Sequence, residues 1–209
     1  MFIELIDALR CPADHPPSTH VAAFDRIEDR DVIAGMLGCP VCGSEFQIRG
    51  GELWMATTAM PAPTTRAKHP GEDALRLAAS LDLRSESGFA ILRGAWCALA
   101  DPLLGISPTH LVLLDPPLDT RAGLGRSIVY AGGTVPFGPG TALAAAIDDD
   151  VRAYALALTV RSGGRVVGPL NVSPPRDVKE LVRDDRWWVG EKESASAPVA
   201  LSRRPTSSP

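Results

Sequence analysis

The chain has 209 residues, 45% of them hydrophobic and 22% charged, with a formal charge of −4 at neutral pH. That length holds one ordinary domain and a small one, and the composition excludes a disordered chain. The longest apolar stretches, such as residues 153–160, are too short to cross a bilayer, and Glu4 and Asp7 stand where a signal peptide would be basic. A cytoplasmic protein with no membrane segment is therefore expected. The charge is uneven: residues 1–58 carry nine acidic residues against four arginines, a net −5, and the remainder carries +1. An acidic segment is a poor ligand for phosphates, so nucleic-acid binding through it is not expected.

In chain order, residues 2–10 have apolar side chains at 2, 3, 5, 6 and 9, a spacing that predicts a short helix or turn leading into Cys11. Residues 21–24, 45–48 and 53–55 suit short strands, the last two joined by a Gly50-Gly51 turn. The stretch 57–70 reads TTAMPAPTTRAKHP, has almost no apolar periodicity, and predicts a linker placed at 59–71. Helical spacing resumes over 73–83 through Leu75, Leu77, Ala78 and Leu81. Strands are then predicted at 88–93, 110–115, 127–131, 142–147, 165–168 and 186–189, and helices at 95–104, 150–161 and 177–183. Apolar strands alternating with helices imply an α/β fold over 72–193, a mostly parallel sheet covered on both faces. Residues 194–209 are rich in Ser, Ala, Pro and Arg and are expected to be a disordered tail.

The strongest local signal is Cys39-Pro40-Val41-Cys42-Gly43. Two thiolates three positions apart, in a turn bent by proline and glycine so that amides point at the sulfurs, form half of a tetrahedral zinc site. Cys11-Pro12-Ala13-Asp14-His15 can supply the rest. The expected ligands are Cys11, His15, Cys39 and Cys42, with Asp14 and then His20 as alternatives for the position given to His15. Three sulfurs and one imidazole leave no open coordination position, so the zinc is expected to be structural, organising a ribbon over 1–58. Cys97 lies apart in an apolar run and reads as a small apolar residue.

Leu9-Arg10-Cys11-Pro12, Gly38-Cys39-Pro40-Val41-Cys42-Gly43 and Phe46-Gln47-Ile48-Arg49-Gly50-Gly51 together resemble the Trm112-like zinc-binding domain. Phe46-Gln47 stands in place of that family's Tyr-Pro, and the first knuckle lacks its second cysteine. The resemblance implies a docking or stabilising role toward a protein partner, such as a methyltransferase or a translation-related protein.

Further on, Thr134-Val135-Pro136-Phe137-Gly138-Pro139-Gly140 and Arg161-Ser162-Gly163-Gly164-Arg165-Val166-Val167 resemble segments of class I S-adenosylmethionine-dependent methyltransferases. The resemblance implies a Rossmann-like, doubly wound sheet and S-adenosylmethionine as a possible cofactor. It also implies cofactor contacts at Gly94, after the first strand of that sheet, and at Asp115, which ends the second. The loop itself reads Ile91-Leu92-Arg93-Gly94-Ala95-Trp96-Cys97-Ala98 and keeps one glycine where the family has three. Glycines there let the backbone approach the nucleoside. A tryptophan and an arginine in their place imply a pocket closed or repurposed.

Asp148-Asp149-Asp150 is expected to cap a helix rather than bind metal. Trp187 and Trp188 on one strand face opposite sides, which predicts one ring in the core and one exposed or at an interface. His69 and His110 have no partner pattern, and no nucleophile arrangement stands out, so no catalytic residue is expected. The reading is a zinc-binding, non-catalytic protein that acts by binding another protein. The alternative is an active methyltransferase in which Gly94 and Asp115 hold the nucleoside.

Overall fold

The structure is a computed structural model that describes residues 1–56 and 69–194. Residues 57–68, which take in 59–68 of the expected linker, and 195–209 of the expected tail lie outside the described residues. The N-terminal part contains a one-turn helix α1 (Leu5–Ala8) and strands β1 (Val21–Glu28), β2 (Asp31–Gly38), β3 (Glu45–Arg49) and β4 (Glu52–Trp54). There follow α2 (Pro70–Leu81), β5 (Phe89–Arg93), a 3₁₀ helix over Gly94–Leu99, α3 (Ala100–Leu104), β6 (His110–Leu114) and β7 (Arg126–Tyr130). The chain continues through β8 (Ala142–Ala146), α4 (Asp150–Thr159), β9 (Val160–Pro169), β10 (Val178–Arg183) and β11 (Trp187–Lys192).

All the strands lie in one sheet, in the order β1-β2-β3-β4-β7-β6-β5-β8-β9-β11-β10. Strands β4, β7, β6, β5, β8 and β9 are mutually parallel, and antiparallel strands extend both edges. The chain winds outward from β5 through β6 and β7, then crosses back to β8 and β9. That is the doubly wound, Rossmann-like order, with its switch point between β5 and β8. Every residue of β5 and β6 is buried, the signature of parallel strands covered on both faces.

One face is covered by α2 and α3, whose Ala74, Leu77, Leu81 and Leu103 share a core with Leu92, Leu111 and Leu113. On the other face α4 contributes Leu156 and Ala157 to a core with Ile91, Val112, Leu114 and Val166. The connections β6–β7 and β7–β8 contain no helix. The segment 1–10 covers that part of the sheet instead. The Phe2 amide donates to Ser127 Oγ (2.8 Å), Arg10 donates to the Pro136 carbonyl (2.9 Å), and Gly138 donates to that of Ala8 (2.7 Å). Phe2 also stacks on His110 with ring centroids 4.5 Å apart. Strand β4 then pairs with β7, Leu53 opposite Val129, so the N-terminal strands continue the sheet.

Several elements differ from the sequence expectation. α2 starts earlier, at Pro70, because proline fits a first helical turn whose N–H has no partner. Strand β2 has no counterpart in the sequence reading, since its burial hardly alternates along the strand. Gly35 lets it lie close to β1, where a Cβ would collide with the Ala23 carbonyl. The helix expected at 177–183 is strand β10 instead. Its apolar residues at 178, 181 and 182 mimic helical spacing, but an irregularity between Glu180 and Val182 breaks the strand's alternation. Both Trp187 and Trp188 are buried, because α2 covers one side of β11 and the 172 region covers the other.

Two outcomes follow from the packing. Leu53→Ala empties a fully buried site at the β4–β7 junction and should cost about 2–5 kcal/mol in urea unfolding, with a single transition for the whole sheet. Burial pushes the His110 ring down to about 4, whereas an unfolded histidine titrates near 6.5. The unfolded chain therefore binds the proton first, and stability should fall as pH drops from about 6.5 to about 4, by about 3 kcal/mol. His110→Asn should flatten the urea-midpoint profile in that window.

Candidate metal centre and the strand-end crevice

Cys11 follows the α1 segment, His15 lies on the loop before β1, and Cys39 and Cys42 lie on the turn from β2 to β3. The fold brings these four side chains together, with all four donor atoms within 4.8 Å of one another. Cys11 Sγ is 3.7 Å from Cys42 Sγ, and Cys39 Sγ is 3.3 Å from His15 Nε2. A tetrahedral zinc with about 2.3 Å bonds to sulfur and about 2.0–2.1 Å to nitrogen has S–S edges of about 3.8 Å and S–N edges of about 3.6 Å. The Cys11–Cys42 and Cys39–His15 separations are close to those edges, and Cys11 and Cys42 are far outside disulfide distance.

The local chain explains the arrangement. Gly43 adopts φ +72°, its amide donates to the Cys39 carbonyl (2.9 Å), and the Cys39 amide donates to that of Ser44 (2.8 Å). This closes the knuckle. His15 Nδ1 is 2.7 Å from the Pro16 carbonyl; donating its proton there leaves the Nε2 lone pair for the cluster. The Ser44 hydroxyl and amide pull the Cys42 thiol down to about 6. Burial raises Cys39, but the amides of Cys42 and Val41 outweigh it and bring the thiol below its ordinary value. Burial pushes Cys11 up to about 11. The surroundings thus ease proton loss from two of the sulfurs and oppose it at the third, from which a cation would have to draw the proton. Of the alternative ligands, Asp14 is exposed and outside the cluster, and the His20 ring packs edge-on against Phe46 at 5.4 Å.

At the C-terminal ends of the parallel strands, Gly94 and Asp115 follow β5 and β6, whose last residues Arg93 and Leu114 are paired. Asp115 is 1% exposed, and its carboxylate accepts from the amides of Ala131 (2.7 Å), Gly132 (3.1 Å) and Gly133 (3.0 Å). Both its oxygens are therefore engaged by the segment after β7. Gly94 has φ +61°, and a Cβ there would collide with the Asp148 carboxylate. The Arg93 guanidinium pairs with Asp148 and with Asp149, the latter at 2.6 Å. Trp96 Nε1 donates to the Ile147 carbonyl (2.7 Å), and its ring meets Trp187 edge-on. The loop after β5 is thus tied to the loop after β8 across the switch point. Asp149 caps α4 by accepting from the Arg152 amide (2.8 Å), as the sequence led one to expect.

The Arg93 pair was not foreseen. Its signal was a lone arginine ending one apolar strand and three aspartates ending its neighbour. A cleft of about 300 Å³ opens between Cys97–Asp101 and Pro117–Arg126.

No protein-family model matches the chain, and no curated protein matches it. Solved structures resemble it at low identity. A putative S-adenosylmethionine-dependent methyltransferase from Methanococcus maripaludis is 12% identical, with 63% of this chain and 87% of that one covered and a TM-score of 0.42. A tRNA methyltransferase from Aquifex aeolicus is 13% identical, with 84% and 97% covered and a TM-score of 0.42. The antibiotic-resistance methyltransferase Kmr is 15% identical, with 58% and 93% covered and a TM-score of 0.40.

Burial raises the Asp149 carboxyl, but the Arg152 amide and the charges of Arg93 and Arg152 hold it below its ordinary range. The resulting stabilisation is present above the unfolded carboxylate range and is lost as pH falls through the lower folded value. Arg93→Met strands two partly buried carboxylates and should cost about 2–3 kcal/mol at neutral pH. The deficit should shrink as pH falls and Asp149 protonates, which urea unfolding at two pH values checks.

Proposed function

We propose that this is a zinc-binding, non-catalytic protein whose methyltransferase-like α/β unit serves as a scaffold for protein–protein interaction. The observation that carries this reading is the tie across the switch point. Where a nucleoside cofactor would need open backbone, Arg93 binds Asp148 and Asp149, and Trp96 binds the Ile147 carbonyl. The Cys11, His15, Cys39 and Cys42 cluster has the donor set of a closed structural zinc site, its donor atoms within 4.8 Å of one another, and a bound zinc would supply cross-linking rather than reactivity. β4 and the 1–10 segment join the N-terminal strands to the α/β unit, which supports a docking role of the Trm112-like kind. The acidic hairpin β1–β2 lies at one outer edge of the sheet with β1 largely exposed, which supports it as a surface for a protein partner. Unbridged thiols in the cluster favour the cytoplasm, and no helix among the described residues is long and apolar enough to cross a membrane.

One observation favours the second reading, an active S-adenosylmethionine-dependent methyltransferase. The cleft of about 300 Å³ lies between the segment after β5 and the β6–β7 connection, the two segments that begin with Gly94 and Asp115, though neither residue lines it. Two measurements separate the readings. Elemental analysis of protein prepared without chelator should find one zinc per chain, lost in Cys39→Ser. Calorimetric titration with S-adenosylmethionine should give no saturable heat. Micromolar binding of that cofactor would overturn the non-catalytic assignment and leave the zinc assignment standing.

A further inference from the structure

At the other end of the parallel strands, β9 departs from its register with β8. Ala142 pairs with Val160 and Ala144 with Arg165, so residues 161–164 bow out of the ladder. Gly163 takes up the turn with φ +76°, and Gly164 lies where any Cβ would collide with the Leu143 carbonyl. The bow, the C-terminus of α2 and the start of the α2–β5 connection enclose a cleft of about 410 Å³. Its lining includes Asp82, Arg84, Ser85, Leu143, Arg161 and Arg165.

Three arginines from two separate segments thus line one cavity. Asp82 answers them and is held below its ordinary carboxyl range, first by its hydrogen bond from Arg84 and further by the charges of Arg84, Arg165 and Arg161. Glu191 Oε2 lies 3.1 Å from Arg165 Nη1 but off the hydrogen-bonding direction, and that buried Nη1 has no hydrogen-bond partner. Arg161 makes no ion pair among the described residues. The cleft therefore keeps an excess of positive charge, with the Arg161 guanidinium outside any ion pair among the described residues. That is the complement of a phosphate, which guanidinium forks bind bidentately. Its volume exceeds what a phosphate alone fills, and Leu81 and Leu143 supply an apolar wall.

We propose that this cleft is a binding site for a small phosphate ester, with Arg161 and Arg165 holding the phosphate and Leu81 and Leu143 packing its carbon portion. The site is independent of the zinc cluster and of the crevice at the opposite strand ends. A concave pocket on a unit with no basic run favours a small ligand over a nucleic acid strand.

The test is calorimetric titration of the full chain with phenyl phosphate, inorganic phosphate and phenol. Phenyl phosphate should saturate one site and bind more tightly than inorganic phosphate, and phenol should give no binding. Arg161→Ala and Arg165→Ala should each weaken it about tenfold or more, with Arg161→Lys intermediate and circular dichroism unchanged. Arg183→Ala, which removes a β10 arginine paired with Glu180, should leave it unaltered. Absence of saturation in the millimolar range overturns the proposal. So does an equal loss in Arg183→Ala, which would mean general surface charge, or Arg161-dependent binding of single-stranded RNA with no response to phenyl phosphate.

Discussion

A parallel sheet must be covered on both faces, and this chain leaves two of its own crossovers without helices. The rest of the structure depends on how that deficit is made good. The first ten residues lie across the bare region, fixed by backbone hydrogen bonds to the 136–138 turn and by Phe2 against His110. Strand β4 extends the sheet beyond β7. Leu5, Leu9, Ile48 and Leu53 thereby share one core with Val112, Leu114 and Val129. The two parts of the chain are not independent packing units, because neither has a complete core without the other.

The cysteine and histidine cluster gains its meaning from that arrangement. Cys11 follows Arg10, whose amide bonds to Pro136 on the α/β unit, while Cys39 and Cys42 sit on the turn that sets the register of β2 and β3. A cation joining these positions would fasten the covering segment to the strands that extend the sheet. Zinc-ribbon affinities of about 10–16 kcal/mol are comparable with the whole stability of a domain. On the reading proposed here, the ion stabilises the α/β sheet from outside its own core. The crevice at the strand ends gives the complementary half of the account: a Rossmann-like sheet remains, while side chains that bind one another occupy the switch point.

Much of this was legible in the sequence where one signal dominates. The Cys-Pro-Val-Cys-Gly turn, the apolar runs that became β5 and β6, and the departure from a glycine loop at 93–96 each rest on residues with few alternative uses. What was not legible depends on partners distant in sequence. Strand β2 owes its place to pairing on both sides, and β10 has helical spacing but is held as a strand by β11. The Arg93 pairing joins residues more than fifty positions apart, and the engagement of Asp115 by three amides requires the segment after β7 to fold back over it. Each arises from tertiary pairing that overrides local pattern.

The most direct test of the central claim is hydrogen exchange on the intact protein, with metal bound and after chelation. If the cluster fastens the covering segment, chelation should remove protection from β2 to β4 and also from β7 and the 131–138 turn, while β8 and β9 keep theirs longest. Protection in β7 and the turn that does not change when the metal leaves would contradict it.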